Sequence, residues 1–160
     1  MKRISLLFLL SVVALVVAAQ PRETSVGVSF DYRSYTLDQN LGATSEAGIG
    51  VRLQRELIDQ LMVVPSATLW LNDKSNNFDA AIDLHYHFVA GLDFCIYPIG
   101  GVSFTRFSNG IDPVNRVGGN LGLGLQYNIT GNLVVNGEYK YHMFKDFEQV
   151  HFALSLGWRF

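Results

Sequence analysis

From Thr24 onward, apolar and polar residues alternate with a period of two. That is the pattern of strands with one apolar and one polar face. Eight such segments follow one another. The first, 25–35, sets Val26, Val28, Phe30 and Tyr32 against Ser25, Gly27, Ser29, Asp31 and Arg33. Segment 46–54 carries Ala47, Ile49, Val51 and Leu53 on its apolar side, and 61–71 carries Leu61, Val63, Pro65, Ala67, Leu69 and Leu71. In 78–88, Phe78, Ile82, Leu84, Tyr86 and Phe88 oppose Asp79, Asp83, His85 and His87. Segments 92–105, 116–127, 133–143 and 150–160 repeat the pattern to the C terminus. The third is the least regular, so its register stays open. No apolar-face position is charged, although the chain holds 12 Lys and Arg and 14 Asp and Glu.

The connections fall into two groups. Polar stretches at 36–45, 73–76, 108–115 and 145–148 alternate with connections at 55–60, 89–91 and 129–131, which lie at the other end. The fold class predicted is therefore all-β: an eight-stranded antiparallel up-and-down barrel, transmembrane by the argument below. Pro65 and Pro98 fall inside strands, where each removes a ladder hydrogen bond, so a bulge is expected at both.

The first nineteen residues break the pattern. Lys2 and Arg3 precede an apolar run, Leu6–Leu10 and Val12–Val17, interrupted only by Ser11 and closed by Val17-Ala18-Ala19. This reads as a secretory signal peptide cleaved before Gln20. A membrane anchor would need about 20 apolar residues and flanking charge. No cysteine follows the cut, which argues against a lipoprotein. Residues 1–19 are assigned to the signal and 20–160 to one domain. Cleavage lowers the formal charge from −2 to −4. That balance offers no basic surface for nucleic acid. One cysteine, Cys95, excludes a disulfide framework, and four scattered histidines do not form a zinc motif.

Alternation does not say which face points outward. A soluble lipocalin-like carrier of apolar ligands also has eight strands and a signal peptide. Size decides the matter, because an eight-stranded bore is only wide enough for side chains to fill. The apolar face, with Phe30, Tyr32, Tyr86, Phe94, Tyr139, Phe152 and Trp158, is too bulky for it. The polar face is rich in Gly and Ser and suits a cramped lumen. With the N terminus in the periplasm, aromatics form an outer band (Phe30, Tyr32, Phe78, Phe104, Tyr139, Tyr141, Phe152) and an inner one (Tyr86, Phe88, Phe94, Tyr127, Trp158, Phe160), as membrane barrels require.

The last ten residues, His151-Phe152-Ala153-Leu154-Ser155-Leu156-Gly157-Trp158-Arg159-Phe160, resemble the C-terminal signal of bacterial outer-membrane barrels. The chain from residue 20 resembles small barrels of the outer-membrane protein X and outer-membrane protein A transmembrane-domain type. Tyr97-Pro98-Ile99-Gly100-Gly101-Val102 is a weaker likeness to the same superfamily. The resemblance implies that Phe152, Leu154, Leu156, Trp158 and Phe160 form the assembly signal read by the insertion machinery. The short outer loops depart from the outer-membrane protein X type.

Lumen positions carry Arg33, Arg52, Arg116, Lys140 and Arg159 against Asp31, Glu46, Asp79, Asp83, Asp93 and Glu138. Buried charges persist when paired, so a plug is expected instead of an ion path. Its charge network is assigned to Arg52, Asp83, Arg116, Glu138, Lys140 and Arg159, with Arg52, Asp83, Glu138 and Lys140 at its middle. All four histidines point inward: His85 and His87 near one rim, His142 and His151 near the other. His142 and His151 could meet across the last hairpin, where hydrogen bonding is the expected role.

Lipid A deacylases, also small barrels, use a His-x-Ser-Asn segment. Here Arg106-Phe107-Ser108-Asn109-Gly110 puts arginine at the base position, and without a base the serine is not activated. Gly118, Gly122 and Gly124 fit neither phosphate-loop spacing and read as small lumen positions. Cys95 reads as a small inward filler, and Asn128-Ile129-Thr130, though a glycosylation sequon, lies in a periplasmic turn. The sequence therefore predicts a monomeric, non-enzymatic outer-membrane barrel of a Gram-negative bacterium, without catalytic, metal or cofactor residues. Its partners are membrane lipid, the insertion machinery and an extracellular ligand of loops 36–45 and 108–115. Its role is envelope integrity or adhesion. A lipid A-modifying enzyme and a soluble carrier are the alternatives.

Overall fold

The computed structural model describes residues 23–36, 44–72, 75–89, 93–108, 113–145 and 147–160. The stretch 1–19 assigned to a signal peptide lies outside these residues, as do 37–43 of loop 36–45 and 109–112 of loop 108–115. Eight long strands carry the chain: β1 (Thr24–Thr36), β2 (Thr44–Ile58), β3 (Leu61–Asn72), β4 (Ser75–Tyr86, resumed after His87 by Phe88–Val89), β5 (Phe94–Ser108), β6 (Pro113–Asn128), β7 (Leu133–Met143) and β8 (Glu148–Arg159). Each pairs antiparallel with the next, and β8 pairs with β1. The closed ladder leaves no edge strand with unpaired backbone groups.

The strand pairing is staggered. Followed pair by pair, the ladder runs from Thr24 through Arg55, Val63, Leu84, Gly100, Leu121, Tyr141 and Val150 to Ser34, ten residues further along β1. A stagger of this kind tilts the strands by about 40° to the barrel axis and fixes a narrow bore. Thr24 and Phe160 lie side by side at one end, here the terminus end. The hairpins after β1, β3, β5 and β7 form the loop end.

Exposure sorts the alternation inside out. Val28, Phe30, Val51, Leu69, Ile82, Leu123 and Leu154 are exposed, while Asp31, Arg33, Asp83, His85, Asn120, Glu138 and Gln149 are buried. A carrier of apolar ligands would show the reverse, so that alternative falls. The third strand has a definite register: Met62, Val64, Thr68 and Trp70 point inward, and Leu69 and Leu71 outward. The exposed aromatics Tyr86, Phe88, Tyr127, Trp158 and Phe160 ring the terminus end. The second group, including Tyr32, Tyr139 and Phe152, sits about four residues short of the strand ends at the loop end. The wall therefore continues beyond the upper aromatic belt.

Neither proline makes the expected bulge. The pairing of β2 with β3 omits Leu53 with Pro65 and Gln54 with Val64, then resumes in the same register. Its only shift lies between Glu56 and Ile58. Opposite Pro98 the ladder likewise skips Tyr86 and His87 and resumes at Phe88↔Ile96 without slipping. A missing N–H removes one bond, but the buried polar face holds the register, because a slip would turn that whole face into lipid. On the other side of the strand, the His87 N–H donates to the Gln60 carbonyl at 2.7 Å, which continues the β3–β4 register beyond Leu61↔Tyr86. Gln60 itself, in the tight β2–β3 turn, has φ 70°.

Candidate functional site

Among the described residues, chemistry-bearing side chains converge in the lumen, where they stack in tiers. At the terminus end, the Gln54 side-chain amide donates to Gln126 Oε1 at 3.1 Å, and Gln126 to Asn128 Oδ1 at 3.2 Å. Above them the Tyr97 ring, 0% exposed, stacks on His85 and His87 at 4.7 and 4.6 Å between centroids. Gly124 makes room for this ring: a Cβ there would lie 2.2 Å from Tyr97 Cε2.

The middle tier ties opposite walls together. Arg52 on β2 donates to Glu138 on β7 at 2.5 Å and to Ser155 Oγ at 3.2 Å. The Tyr97 hydroxyl donates to the same Glu138 oxygen at 2.9 Å. Lys140 pairs with Asp83 at 3.1 Å and stands 3.7 Å from Glu138. The Asn120 amide completes Asp83 at 2.8 Å. Burying two ions is costly, and only close pairing with full hydrogen bonding offsets it. Here each carboxylate accepts from at least two donors.

Above this lie two histidine contacts. His151 Nε2 meets Asp31 at 2.8 Å, and Asp31 also accepts from Ser29 at 2.6 Å. His142 Nδ1 meets Ser103 Oγ at 3.1 Å, and the two imidazoles are 5.4 Å apart. They do meet across the last hairpin, each held by its own hydroxyl or carboxylate.

The upper tier centres on Arg33, which is 0% exposed. Its guanidinium makes paired hydrogen bonds to Glu46 and reaches Asp79 at 3.1 Å. Glu46 accepts further bonds from Asn77 at 2.9 Å and Tyr35 at 3.2 Å. Arg33 also lies 4.3 Å from the Trp70 ring and 4.8 Å from Phe107. Tyr35, Phe107, Phe144 and Phe147 then close over it as one buried aromatic cluster.

The expected network thus divides. Arg52, Asp83, Glu138 and Lys140 come together. Arg159 does not join them, because its position on β8 puts it at the terminus end. There it donates to Asn128 at 3.0 Å and lies 3.6 Å from Glu23. Arg116 is half-buried and donates to the Asn115 carbonyl at 3.2 Å, near the loop end. Asp93 is exposed beyond the start of β5. The second cluster around Arg33 was legible only as inward positions. The aromatic closure was missed because Phe107, Phe144 and Phe147 fall in or beside stretches read as loops. The signal was there: Phe107 keeps the inward parity of β5.

The terminal residues Phe152, Leu154, Leu156, Trp158 and Phe160 all point outward on or just after β8, and Phe160 is 70% exposed. Arg106 is exposed, while Asn109 and Gly110 lie outside the described residues.

Comparison with solved structures places several small bacterial barrels alongside this fold. The attachment invasion locus protein of Yersinia pestis superposes with a TM-score of 0.68 at 16% identity, covering 88% of this chain and 100% of that one. Neisserial surface protein A gives 0.69 at 16% identity, covering 86% and 97%. The N-terminal barrel domain of Pseudomonas aeruginosa OprF gives 0.66 at 17% identity, covering 88% and 100%. No curated protein sequence matches significantly. The family model described as outer membrane protein beta-barrel domain matches residues 5–160. With an apolar wall, a polar lumen and that match over nearly its whole length, the chain belongs to the outer membrane β-barrel family.

Proposed function

We propose that this outer-membrane barrel is a non-conducting, monomeric wall element. Its termini face the periplasm, and its loops 36–45 and 108–115 serve adhesion or envelope integrity. The observation that carries this reading is the occupied bore: Arg52–Glu138, Lys140–Asp83 and Arg33 with Glu46 and Asp79 cross it in successive tiers. A plugged cylinder offers the outside its loops and nothing else. The Yersinia pestis attachment protein has been solved with the heparin analogue sucrose octasulfate, which supports looking first for an anionic glycan ligand. Residues 1–19 act as a cleaved export signal in this reading, and the outward row from Phe152 to Phe160 is read by the insertion machinery. Arg106 at the base position weighs against a lipid A-modifying activity.

Two measurements test the proposal. In planar lipid bilayers the purified barrel should show no stepwise ionic conductance. Steady single-channel openings in the intact protein would overturn the plug. Bacteria displaying the full chain should bind immobilised glycan or host cells, or resist detergent, better than a variant with both loops shortened. Equal behaviour in every assay would remove both roles.

A further inference from the structure

We propose that a groove on the outward wall holds one acyl chain of a glycerophospholipid, drawn from the leaflet at the terminus end of the barrel. The groove, about 640 Å³, is lined by apolar side chains and centred on Gly137. It follows one ladder row, Phe30, Leu154, Gly137, Leu125 and Ile96, across five neighbouring strands. Every other member of that row carries a large side chain. A Cβ built on Gly137 meets nothing within 4 Å, so close packing inside this chain does not require the glycine. Glycine within a strand weakens it and often marks a bulge, a bend or a close approach to the backbone; the pairing through Gly137 is unshifted on both sides, which leaves the close approach. Tyr139 and Phe152, ring centroids 4.9 Å apart, form the shoulder on the loop side.

The direction of the groove selects the leaflet. Phe30 lies six residues from the terminus end of its strand, Leu154 five, Gly137 four, Leu125 three and Ile96 two. The row thus descends steadily from the middle of the wall to the terminus rim. Five strands span four spacings of about 4.8 Å, roughly 19 Å in all. With strands tilted about 40°, that row drops by roughly 12 Å along the axis. One leaflet of hydrocarbon is about 15 Å deep. A chain entering at Ile96 with its headgroup at the terminus rim therefore ends near Phe30, at mid-membrane. A lipid of the opposite leaflet would have to cross the Tyr139–Phe152 shoulder. Because this wall faces the bilayer in any member of the family, the inference does not depend on what the loops bind.

The test is photo-crosslinking in liposomes of phosphatidylethanolamine and phosphatidylglycerol doped with diazirine phospholipids. A label at the end of the chain should attach to peptides containing Phe30 and Leu154. A label near the ester should attach to those containing Ile96 and Leu125. Gly137→Leu should reduce both to the level of the opposite wall. Gly137→Ala should give an intermediate loss, and Ala67→Leu on β3 should leave labelling unchanged. Heat-dependent gel mobility would verify that each variant is folded. Uniform labelling of the wall by both probes, reversed polarity, or labelling indifferent to Gly137→Leu would each overturn the proposal.

Discussion

Replacing Glu138 by alanine is the sharpest probe of the plugged lumen. Its carboxylate holds the Arg52 guanidinium at 2.5 Å and the Tyr97 hydroxyl at 2.9 Å, with Lys140 at 3.7 Å. After truncation Lys140 keeps Asp83, and Tyr97 keeps a 3.4 Å contact to Asn136. Arg52 loses its carboxylate partner and keeps the neutral Ser155 hydroxyl at 3.2 Å. A buried cation stripped of its counter-ion costs about 3–5 kcal/mol. The double variant Arg52→Met with Glu138→Leu removes both charges and fills similar volume, so it should lie within about 1 kcal/mol of wild type or above it. Arg52→Met alone, Glu138→Leu alone and the double close a thermodynamic cycle whose coupling energy isolates the pair. Reversible urea titration in lipid vesicles, followed by tryptophan fluorescence and heat-dependent gel mobility, measures each corner. A loss below about 1 kcal/mol for Glu138→Ala is the size of a solvated surface pair. That result would refute the reasoning, since it would mean that water reaches Arg52 freely.

Three further outcomes are expected. Gly124→Ala drives a methyl to 2.2 Å from the Tyr97 ring; it should destabilise by about 1–3 kcal/mol, and Tyr97→Leu in the same chain should recover most of that in the urea titration. Gln60→Gly relieves a left-handed residue and should raise the urea midpoint by an amount equivalent to about 1 kcal/mol; an unchanged or lower midpoint would show that the Gln60 side chain contributes more than its strain. Phe160→Ala removes an outward side chain that is 70% exposed, so it should leave refolding in detergent unaltered and slow assembly in cells, as read by the heat-resistant fraction over time.

The strands were readable because a barrel this small gives every residue one of two environments, and alternation reports which. The ends were less so. Alternation stopped at Gln54 on β2, whereas the strand continues to Ile58. There two charged residues, Arg55 and Glu56, are followed by two apolar ones, Leu57 and Ile58, and the register shift between Glu56 and Ile58 breaks the alternation. Arg52, Asp83, Glu138 and Lys140 could be placed together at the middle in advance because their strand positions give them similar depth, whereas which of them pair was not legible. Arg116 and Arg159 shared the inward parity but not the depth, and the stagger that separates them is a property of the closed sheet that no single strand reveals. The aromatic closure over Arg33 was hidden for a related reason. Phe144 and Phe147 follow the end of β7 and obey no strand parity.

The seam between β1 and β8 has a further consequence. The Phe160 N–H donates to the Thr24 carbonyl at 2.9 Å, and Ser25 faces Arg159 across the ladder. Every other pairing joins neighbours in sequence, so this one contact closes a loop the length of the barrel. The two ends could therefore be spliced by a short peptide and the chain reopened at one of the loop-end hairpins, giving a circularly permuted barrel with the same ladder. Such a permutant would carry its new ends on the opposite side of the membrane. A tag placed there would move from one compartment to the other without any change in the wall.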